Sequence, residues 1–134
     1  MNECTLIIIK PDAFERHLVG FILSKFDDPG FEILGIRKVK FNEREAAELY
    51  EEHRGKPFWD RLIKFTSSGP CLVVILSGEN VVNECRKRIK DIRDNYMIQR
   101  DVDKGATERN LVHGSDSQQS AWVEMGKLVG MNVT

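Results

Sequence analysis

Apolar residues follow two patterns along the chain: short runs rich in β-branched residues, and stretches with an apolar residue at every fourth position. The run Cys-Thr-Leu-Ile-Ile-Ile at 4–9 predicts a central strand. Apolar residues four positions apart from Leu18 to Phe26 predict an amphipathic helix over about 13–27, which an Asp-Pro-Gly turn ends. A second strand is predicted over about 31–39, so the chain opens as strand, helix, strand.

Two short helices are predicted in the middle of the chain. Asn42, with Glu45 three residues later, resembles a capping box that opens a helix reaching about residue 52. Pro57 fits the first turn of a second helix that reaches Phe65. Together these segments predict a helical hairpin.

The second half continues with a strand over 71–76 and a helix that Asn80 caps. Apolar residues four positions apart carry this helix to Ile89. From about 93 to 108 the residues are mostly polar and have no period, which predicts a long loop. Loops of this length in compact domains are usually functional.

A short strand at 110–113 and a final helix that Ser117 caps complete the predicted elements. Their order is that of a ferredoxin-like βαββαβ sandwich, an α+β fold with a four-stranded antiparallel sheet, helices on its faces and an inserted helical hairpin. The first and last strands are neighbours in this fold, so Lys10 and His113 are expected to converge. At 134 residues the chain has room for one domain, predicted over 1–134.

Composition and charge narrow the classes of function. Hydrophobic residues make up 41% of the chain and charged residues 31%, so a folded domain is expected. The formal net charge of -1 provides no global field that would attract nucleic acid or anionic membranes. Three widely spaced cysteines without a CxxC pair favour a reducing cytoplasm, and neither a signal peptide nor a membrane span is expected. We therefore expect a cytoplasmic protein.

The segment Asn-Leu-Val-His-Gly-Ser-Asp-Ser at 110–117 places His113 at the end of a strand, directly before a glycine and a helix start. Glycine permits close approach of a ligand, a helix terminus offers free amides, and a neutral imidazole is nucleophilic near pH 7. Covalent catalysis by His113 is therefore one interpretation. An ordinary surface histidine on a capped loop is the other, and the segment alone leaves both open.

The sequence resembles the nucleoside diphosphate kinases through nearly its whole length. The segments Ile-Lys-Pro-Asp-Ala at 9–13 and Leu-Val-Gly at 18–20 resemble the opening strand and helix of that family. The segment at 109–117, followed by Glu124, resembles its catalytic segment. Further matches fall in the same order and register: Tyr50, Lys56-Pro57-Phe58, Ser68-Gly69-Pro70, Gly78-x-Asn80-Val81-Val82 and Arg86.

This resemblance implies a ping-pong exchange in which His113 takes the γ-phosphoryl group from a nucleoside triphosphate and passes it to a diphosphate. The implied catalytic residues are His113, Lys10, Tyr50, Ser115 and Glu124. The resemblance also implies broad base specificity, homo-oligomers built from dimers, and Mg²⁺ bound through the nucleotide phosphates rather than by a protein metal site. The implied nucleotide-binding residues are Lys10, Phe58, Leu62, Arg86, Ile92, Arg100, Asn110 and Val112.

In the implied phosphate site, Lys10, Arg86 and Arg100 would neutralise phosphate oxygens during transfer. Lys10 and Asn110 resemble the family's contacts to the ribose hydroxyls. Ser115 and Glu124 would orient the His113 ring. Arg86 also fits a basic cluster that complements a helix dipole, so both of its interpretations stay open.

In the implied base site, Phe58 and Val112 would clamp the two faces of the base, with Leu62 at its edge. Stacking on an aromatic ring accepts any base, which agrees with broad specificity. Phe58 equally fits a core aromatic, and Tyr50 equally fits either a core aromatic or a hydrogen-bonding partner near His113.

The sequence departs from the family between Arg86 and Arg100, where it is shorter than typical members. Lys-Asp-Ile at 90–92 replaces the usual Gly-Glu-Thr, so Ile92 stands where a phosphate-binding threonine is expected and cannot donate a hydrogen bond. Arg93 or a backbone amide is left as the substitute. The tail is also short, and with the short loop this favours a dimer over a hexamer.

Two other classes of function stay open. A shortened loop is compatible with a nucleotide-binding or scaffold module that has lost activity, although the retained catalytic set argues against it. A ferredoxin-like sheet is also common in RNA-binding modules, but no aromatic pair stands out on the central strands and the net charge is slightly negative.

Overall fold

The computed structural model describes residues 2–99, 101 and 108–129 of the chain. Its strands are β1 (Glu3–Ile9), β2 (Phe31–Val39), β3 (Cys71–Gly78) and β4 (Val112–Gly114). Its helices are α1 (Pro11–Glu15), α2 (Val19–Ser24), α3 (Glu43–Leu49), α4 (Trp59–Thr66), α5 (Val81–Tyr96) and α6 (Gln118–Val129), and a 3₁₀ turn (Glu51–His53) lies between α3 and α4.

The strands form one antiparallel sheet of four in the order β2-β3-β1-β4. This order confirms the predicted α+β class and the ferredoxin-like arrangement. Strand β1 is central and pairs with β3 on one side and β4 on the other, with Ile8 opposite His113. The carboxyl end of β1 therefore meets β4, as the predicted convergence of Lys10 and His113 requires.

Alternation along β1 divides the core into two layers. Ile7 and Ile9 pack with residues of α2 and α5, whereas Leu6 and Ile8 pack with residues of α3 and α4. All four side chains are fully buried, and each stabilises the fold by about 1.5–3 kcal/mol. Cross-strand partners share a face, so His113 faces the same layer as Ile8.

Two of the predicted helix caps are confirmed. The Asn42 side chain accepts from the Glu45 backbone N–H at 2.8 Å, and the Glu45 carboxylate accepts from the Asn42 N–H at 3.0 Å, which completes a capping box. Ser117 Oγ accepts from the Ser120 N–H at 3.0 Å at the start of α6. Asn80 begins α5 differently: it adopts a positive φ of 55° and makes no side-chain cap bond.

The single helix predicted over 13–27 is wrong. The chain forms α1 and α2 instead, and the break falls at His17, whose φ of 56° lies in the left-handed region and cannot continue a right-handed helix. Ile22 and Phe26 are still fully buried, because the two short helices pack on the same layer of the core. Pro57 likewise lies before α4, whose N-cap is Phe58, rather than in its first turn.

The long loop predicted to begin at residue 93 begins later, because α5 continues to Tyr96. Ile92 follows Ile89 at a helical spacing of three and both are buried, so the apolar face of α5 extends one turn beyond the predicted end. This extra turn brings Arg93 into the ordered helix. The last strand is also displaced slightly, from the predicted 110–113 to β4.

Candidate active site

The ends of β1 and β4 and three helices surround one site. Lys10 follows the last residue of β1, and His113 is the middle residue of β4. Tyr50 is the C-cap of α3, Arg93 lies in the last turn of α5, and Glu124 lies in the middle of α6. Residues far apart in the sequence therefore meet because the sheet places β1 beside β4.

The imidazole of His113 is held through one nitrogen. Its Nε2 lies 3.1 Å from Oε1 of Glu124, a carboxylate that is 6% exposed. The Ser115 hydroxyl donates to the same oxygen at 3.0 Å, and the Ser115 backbone N–H donates to the Leu6 carbonyl at 3.1 Å. Because a carboxylate accepts hydrogen bonds, Nε2 carries the proton and Nδ1 keeps its lone pair.

Aromatic rings extend from His113 towards solvent. The rings of Tyr50 and His113 meet edge to face, with centroids 5.5 Å apart and an interplanar angle of 84°. His53 follows with its centroid 6.1 Å from Tyr50 and 5.6 Å from the half-buried Phe58. Burial raises the pKa of Tyr50 far above its usual value, so its hydroxyl stays protonated.

Lys10 is a buried cation that has a hydrogen-bond partner and charged neighbours. It is 3% exposed, and its Nζ donates to Asn110 Oδ1 at 3.2 Å. Burial lowers its pKa to about 8, the Asp12 carboxylate opposes that change, and the Arg93 guanidinium adds to it. Asp12 is itself buried and accepts from the Leu111 N–H at 3.0 Å, in a backbone turn where Leu111 has a φ of 74°.

A cleft of about 540 Å³ opens between α5 and β4, and Arg86 and Arg93 both line it. The Ser120 hydroxyl, which donates to Asp116, holds the pKa of that carboxyl below its usual range, and the charges of Arg86 and His113 act in the same direction. Arg86 and His113 therefore both lower the pKa of the Asp116 carboxyl, and the role of Arg86 at a phosphate stays a prediction.

The structure corrects two predicted nucleotide contacts. Val112 is fully buried, because in β4 it pairs with Ile9 and packs with the α5 layer, on the face opposite His113. Ile92 is 1% exposed and packs in the same layer. Neither side chain reaches the surface beside His113, so Val112 cannot clamp a base and Ile92 cannot contact phosphate.

The other predicted nucleotide residues are placed as follows. Phe58 is half-buried at the start of α4, and Leu62, one turn further along that helix, is 5% exposed. Both pack with the layer that contains Tyr50. Arg100 lies outside the described residues.

Two charged or polar residues of this site were missed by the sequence analysis. Asp12 was noted only as part of the segment 9–13, although it is the carboxylate beside Lys10. His53 was assigned no role, yet its ring lies between those of Tyr50 and Phe58 and is tilted against both. Its spacing of three residues from Tyr50 in a helical hairpin was a usable signal.

The described residues include no group of three or more His, Cys, Asp or Glu side chains that could hold a metal ion. Among the helices that the structure describes, none is long and apolar enough to cross a membrane. Cys4, Cys71 and Cys85 are all free.

Comparisons with known proteins agree with this arrangement. A family model described as nucleoside diphosphate kinase matches residues 3–130. The nucleoside diphosphate kinase of Methanocaldococcus jannaschii is 37% identical over 131 residues, which cover 90% of this chain and 89% of that protein. The Histophilus somni enzyme of the same name is 39% identical over 127 residues, which cover 92% of this chain and 89% of that protein.

A solved structure shares the fold. The orthorhombic crystal form of the Aquifex aeolicus nucleoside diphosphate kinase is 33% identical, and the match has a TM-score of 0.77 and covers 100% of both chains. Identity at this level over the full length is too high for a likeness of fold alone. The chain belongs to the nucleoside diphosphate kinase family.

Proposed function

We propose that this chain is an active nucleoside diphosphate kinase, in which Nδ1 of His113 carries the phosphoryl group between two nucleotides. The observation that carries the proposal is the buried Glu124 carboxylate at Nε2, which leaves Nδ1 as the nucleophile. Family membership supports the overall reaction, transfer of a phosphoryl group from a nucleoside triphosphate to a nucleoside diphosphate.

The reaction has two displacement steps. In the first, the lone pair of Nδ1 attacks the γ-phosphorus, and the bond from that phosphorus to the bridging oxygen breaks, so the electron pair leaves with the nucleoside diphosphate. In the second, a terminal oxygen of another diphosphate attacks the phosphorus and the P–N bond breaks, which returns the pair to Nδ1. The proton on Nε2 stays beside Glu124, whose charge balances the positive ring of the intermediate.

Cations supply the electrostatic part of this catalysis. Lys10 and Arg86 would neutralise phosphate oxygens as charge spreads in the transition state. The low pKa of Lys10 fits this role, because a phosphate beside the amine would stabilise the positive charge that burial disfavours. Asn110, which accepts from Lys10, would share its amide with the ribose hydroxyls.

The base would stack on Phe58, with Leu62 at its edge. A ring face accepts purines and pyrimidines, so we propose broad base specificity. Burial of Val112 leaves that residue outside the base site. Arg100 stays a predicted phosphate contact on the strength of the resemblance.

We propose that Mg²⁺ enters with the nucleotide. Lys10 and Arg86, which would face the transferred phosphate, are cationic, and Mg²⁺ prefers phosphate oxygens and water to a protein cage. When bound, the ion supplies charge neutralisation on the phosphates. The residues of this chain would bind the remaining phosphate oxygens and orient them towards His113.

Further parts of the proposal concern assembly and location. One domain over 1–134 is supported by a family match that spans 3–130. A homo-oligomer built from dimers is supported by the edge strand β2, where Leu34 is 52% exposed and Ile36 is 44% exposed. Sedimentation analysis tests this assembly.

A cytoplasmic location is supported by the three free cysteines.

Label transfer tests the function. The protein is incubated with γ-labelled ATP and Mg²⁺, and the label is expected in an acid-labile, base-stable bond that passes to added GDP. His113→Asn is expected to abolish both. The matched control is His17→Asn: His17 is exposed and has a positive φ, which asparagine tolerates.

Three results would overturn parts of the proposal. Labelling of the His113→Asn variant would place the phosphoryl group elsewhere. Label that does not pass to GDP would favour a different acceptor or a scaffold. Nucleotide binding without labelling would indicate a module that has lost catalysis.

A further inference from the structure

Arg93 has an environment that a structural role alone does not explain. One of its donors is used: Nη2 donates to the Val112 carbonyl at 2.7 Å, next to His113 in β4. Its Nε is buried and has no hydrogen-bond partner among the described residues. Buried donors are almost always paired in folded proteins, so an unpaired donor on a residue that lines a cleft needs an explanation, and a bound ligand would supply one.

The surroundings of Arg93 identify the ligand as an anion. The charge of Arg93 lowers the pKa of Lys10, and the charge of Arg86 lowers the pKa of Arg93. Three cations therefore lie in one region. The Asp12 carboxylate raises the pKa values of both Lys10 and Arg93. Glu108, which also acts on Lys10, is paired with Arg61 at 3.2 Å. The region therefore carries excess positive charge that a polyanion would balance.

The cleft between α5 and β4 gives this anion access. Arg86 and Arg93 lie on its wall seven residues apart, which is two helical turns and one face of α5. Gly114 forms another part of the wall and directly follows His113. Arg93 donates to the carbonyl of the residue before His113, so the Arg93 guanidinium contacts the strand that carries the nucleophile.

We infer that Arg93 is a phosphate-binding residue, which contacts the nucleotide phosphates from the α5–β4 cleft together with Lys10 and Arg86. This inference rests on the proposed function and adds a residue to its site. The planar guanidinium suits the role because it presents several donors in a fixed fork that matches phosphate oxygens. The bond to Val112 fixes the side chain before the ligand arrives.

The test compares ligands with and without phosphates. Dissociation constants of ADP, by calorimetry, and of adenosine, by NMR titration, are measured for the wild type, Arg93→Gln and Arg93→Lys. We expect Arg93→Gln to weaken ADP binding by about 10- to 100-fold, the usual loss for a charged hydrogen bond, and to change adenosine binding by less than about threefold. Arg93→Lys is expected to lie between the wild type and Arg93→Gln, because it keeps the charge and loses the fork.

Arg88→Gln is the matched control. Arg88 lies on the same helix and also donates to a backbone carbonyl, that of Lys25, at 2.7 Å, and it pairs with Asp28 instead of lining the cleft. We expect it to leave both dissociation constants within about threefold of the wild type.

Three outcomes would overturn the inference. In the first, Arg93→Gln weakens the binding of ADP and of adenosine equally. In the second, it does not weaken the binding of ADP. In the third, Arg88→Gln weakens the binding of ADP as much as Arg93→Gln does. If Arg93→Gln does not fold, Arg93→Lys decides, and unchanged ADP binding in that variant would overturn the inference. The proposed function is judged separately, by labelling of the wild-type His113, so that it can stand when the role of Arg93 fails.

Discussion

Lys10 is costly to bury, and that cost can be measured as a dependence of stability on pH. Its pKa is about 8 in the folded protein against an ordinary value of 10.5. At neutral pH both the folded and unfolded chains carry the charged lysine, and burial of this charge costs the fold about 3 kcal/mol. Lys10→Met removes the titrating group while keeping a side chain of similar length.

The direction of the effect follows from proton binding. Between pH 8 and 10.5 the unfolded chain holds the lysine proton and the folded protein has released it. The free energy of unfolding therefore rises with pH through this window, and the rise begins as Lys10 deprotonates. From about pH 7 to about pH 9 the wild type should gain roughly 1 kcal/mol relative to Lys10→Met.

Urea denaturation at those two pH values, on the wild type and Lys10→Met, measures the difference. Cys71 and Cys85, whose pKa values burial raises from 9.0 to about 12, oppose the rise as the thiols of the unfolded chain deprotonate around pH 9, and they are present in both proteins. The exposed Lys38→Met is the control and should keep the wild-type dependence. A parallel change of wild type and Lys10→Met with pH would refute the account of Lys10 as a buried, strained cation.

Five further substitutions test the site and the packing beside it. Glu124→Gln should slow single-turnover phosphorylation of His113 by about 10- to 100-fold, because it removes the charge that contacts the His113 ring, whereas Ser115→Ala removes only a second hydrogen bond to that carboxylate and should slow it by about 2- to 10-fold. A larger effect of Ser115→Ala than of Glu124→Gln on this rate would contradict the expected ranking of the two residues. Gly114→Ala should lower stability in urea by about 1–3 kcal/mol, since its Cβ would lie 2.3 Å from Cδ1 of Ile89. Adding Ile89→Val removes that methyl group and should restore part of the loss, and no recovery would rule out this clash. Phe58→Ala should weaken ADP binding by about 1–3 kcal/mol, measured by calorimetry. Its phosphorylation rate at saturating ATP should stay unchanged, and a lower rate would place Phe58 closer to the chemistry than stacking requires.

The sequence predicts the sheet well because β1 is buried on both faces. A run such as 4–9 cannot be accommodated at an edge, and the element order then places its end beside the last strand. The convergence of Lys10 and His113 follows from that topology. The capping box at Asn42 was equally readable, because both of its hydrogen bonds are local.

The misses have physical causes that the pattern does not contain. The apolar spacing from Leu18 to Phe26 is the same for one helix or two, because both versions bury the same face. Val112 and His113 are adjacent in β4 and face opposite layers of the core. Which of them faces each layer is fixed only by the pairing of β4 with β1. The sequence names Arg93 only as one of two substitutes for a missing threonine, and its hydrogen bond to Val112 and its buried, unpaired Nε are visible only in the folded chain.

Isolation of the phosphorylated intermediate tests the central claim most directly. The protein is incubated with ATP and Mg²⁺, freed of nucleotide, and examined by intact-protein mass spectrometry and by phosphorus–nitrogen correlation NMR. The account predicts one phosphoryl group per chain, bonded to Nδ1 of His113 and removed completely by added GDP. A phosphoryl group on Nε2 or on any other side chain, or one that GDP does not remove, would contradict it.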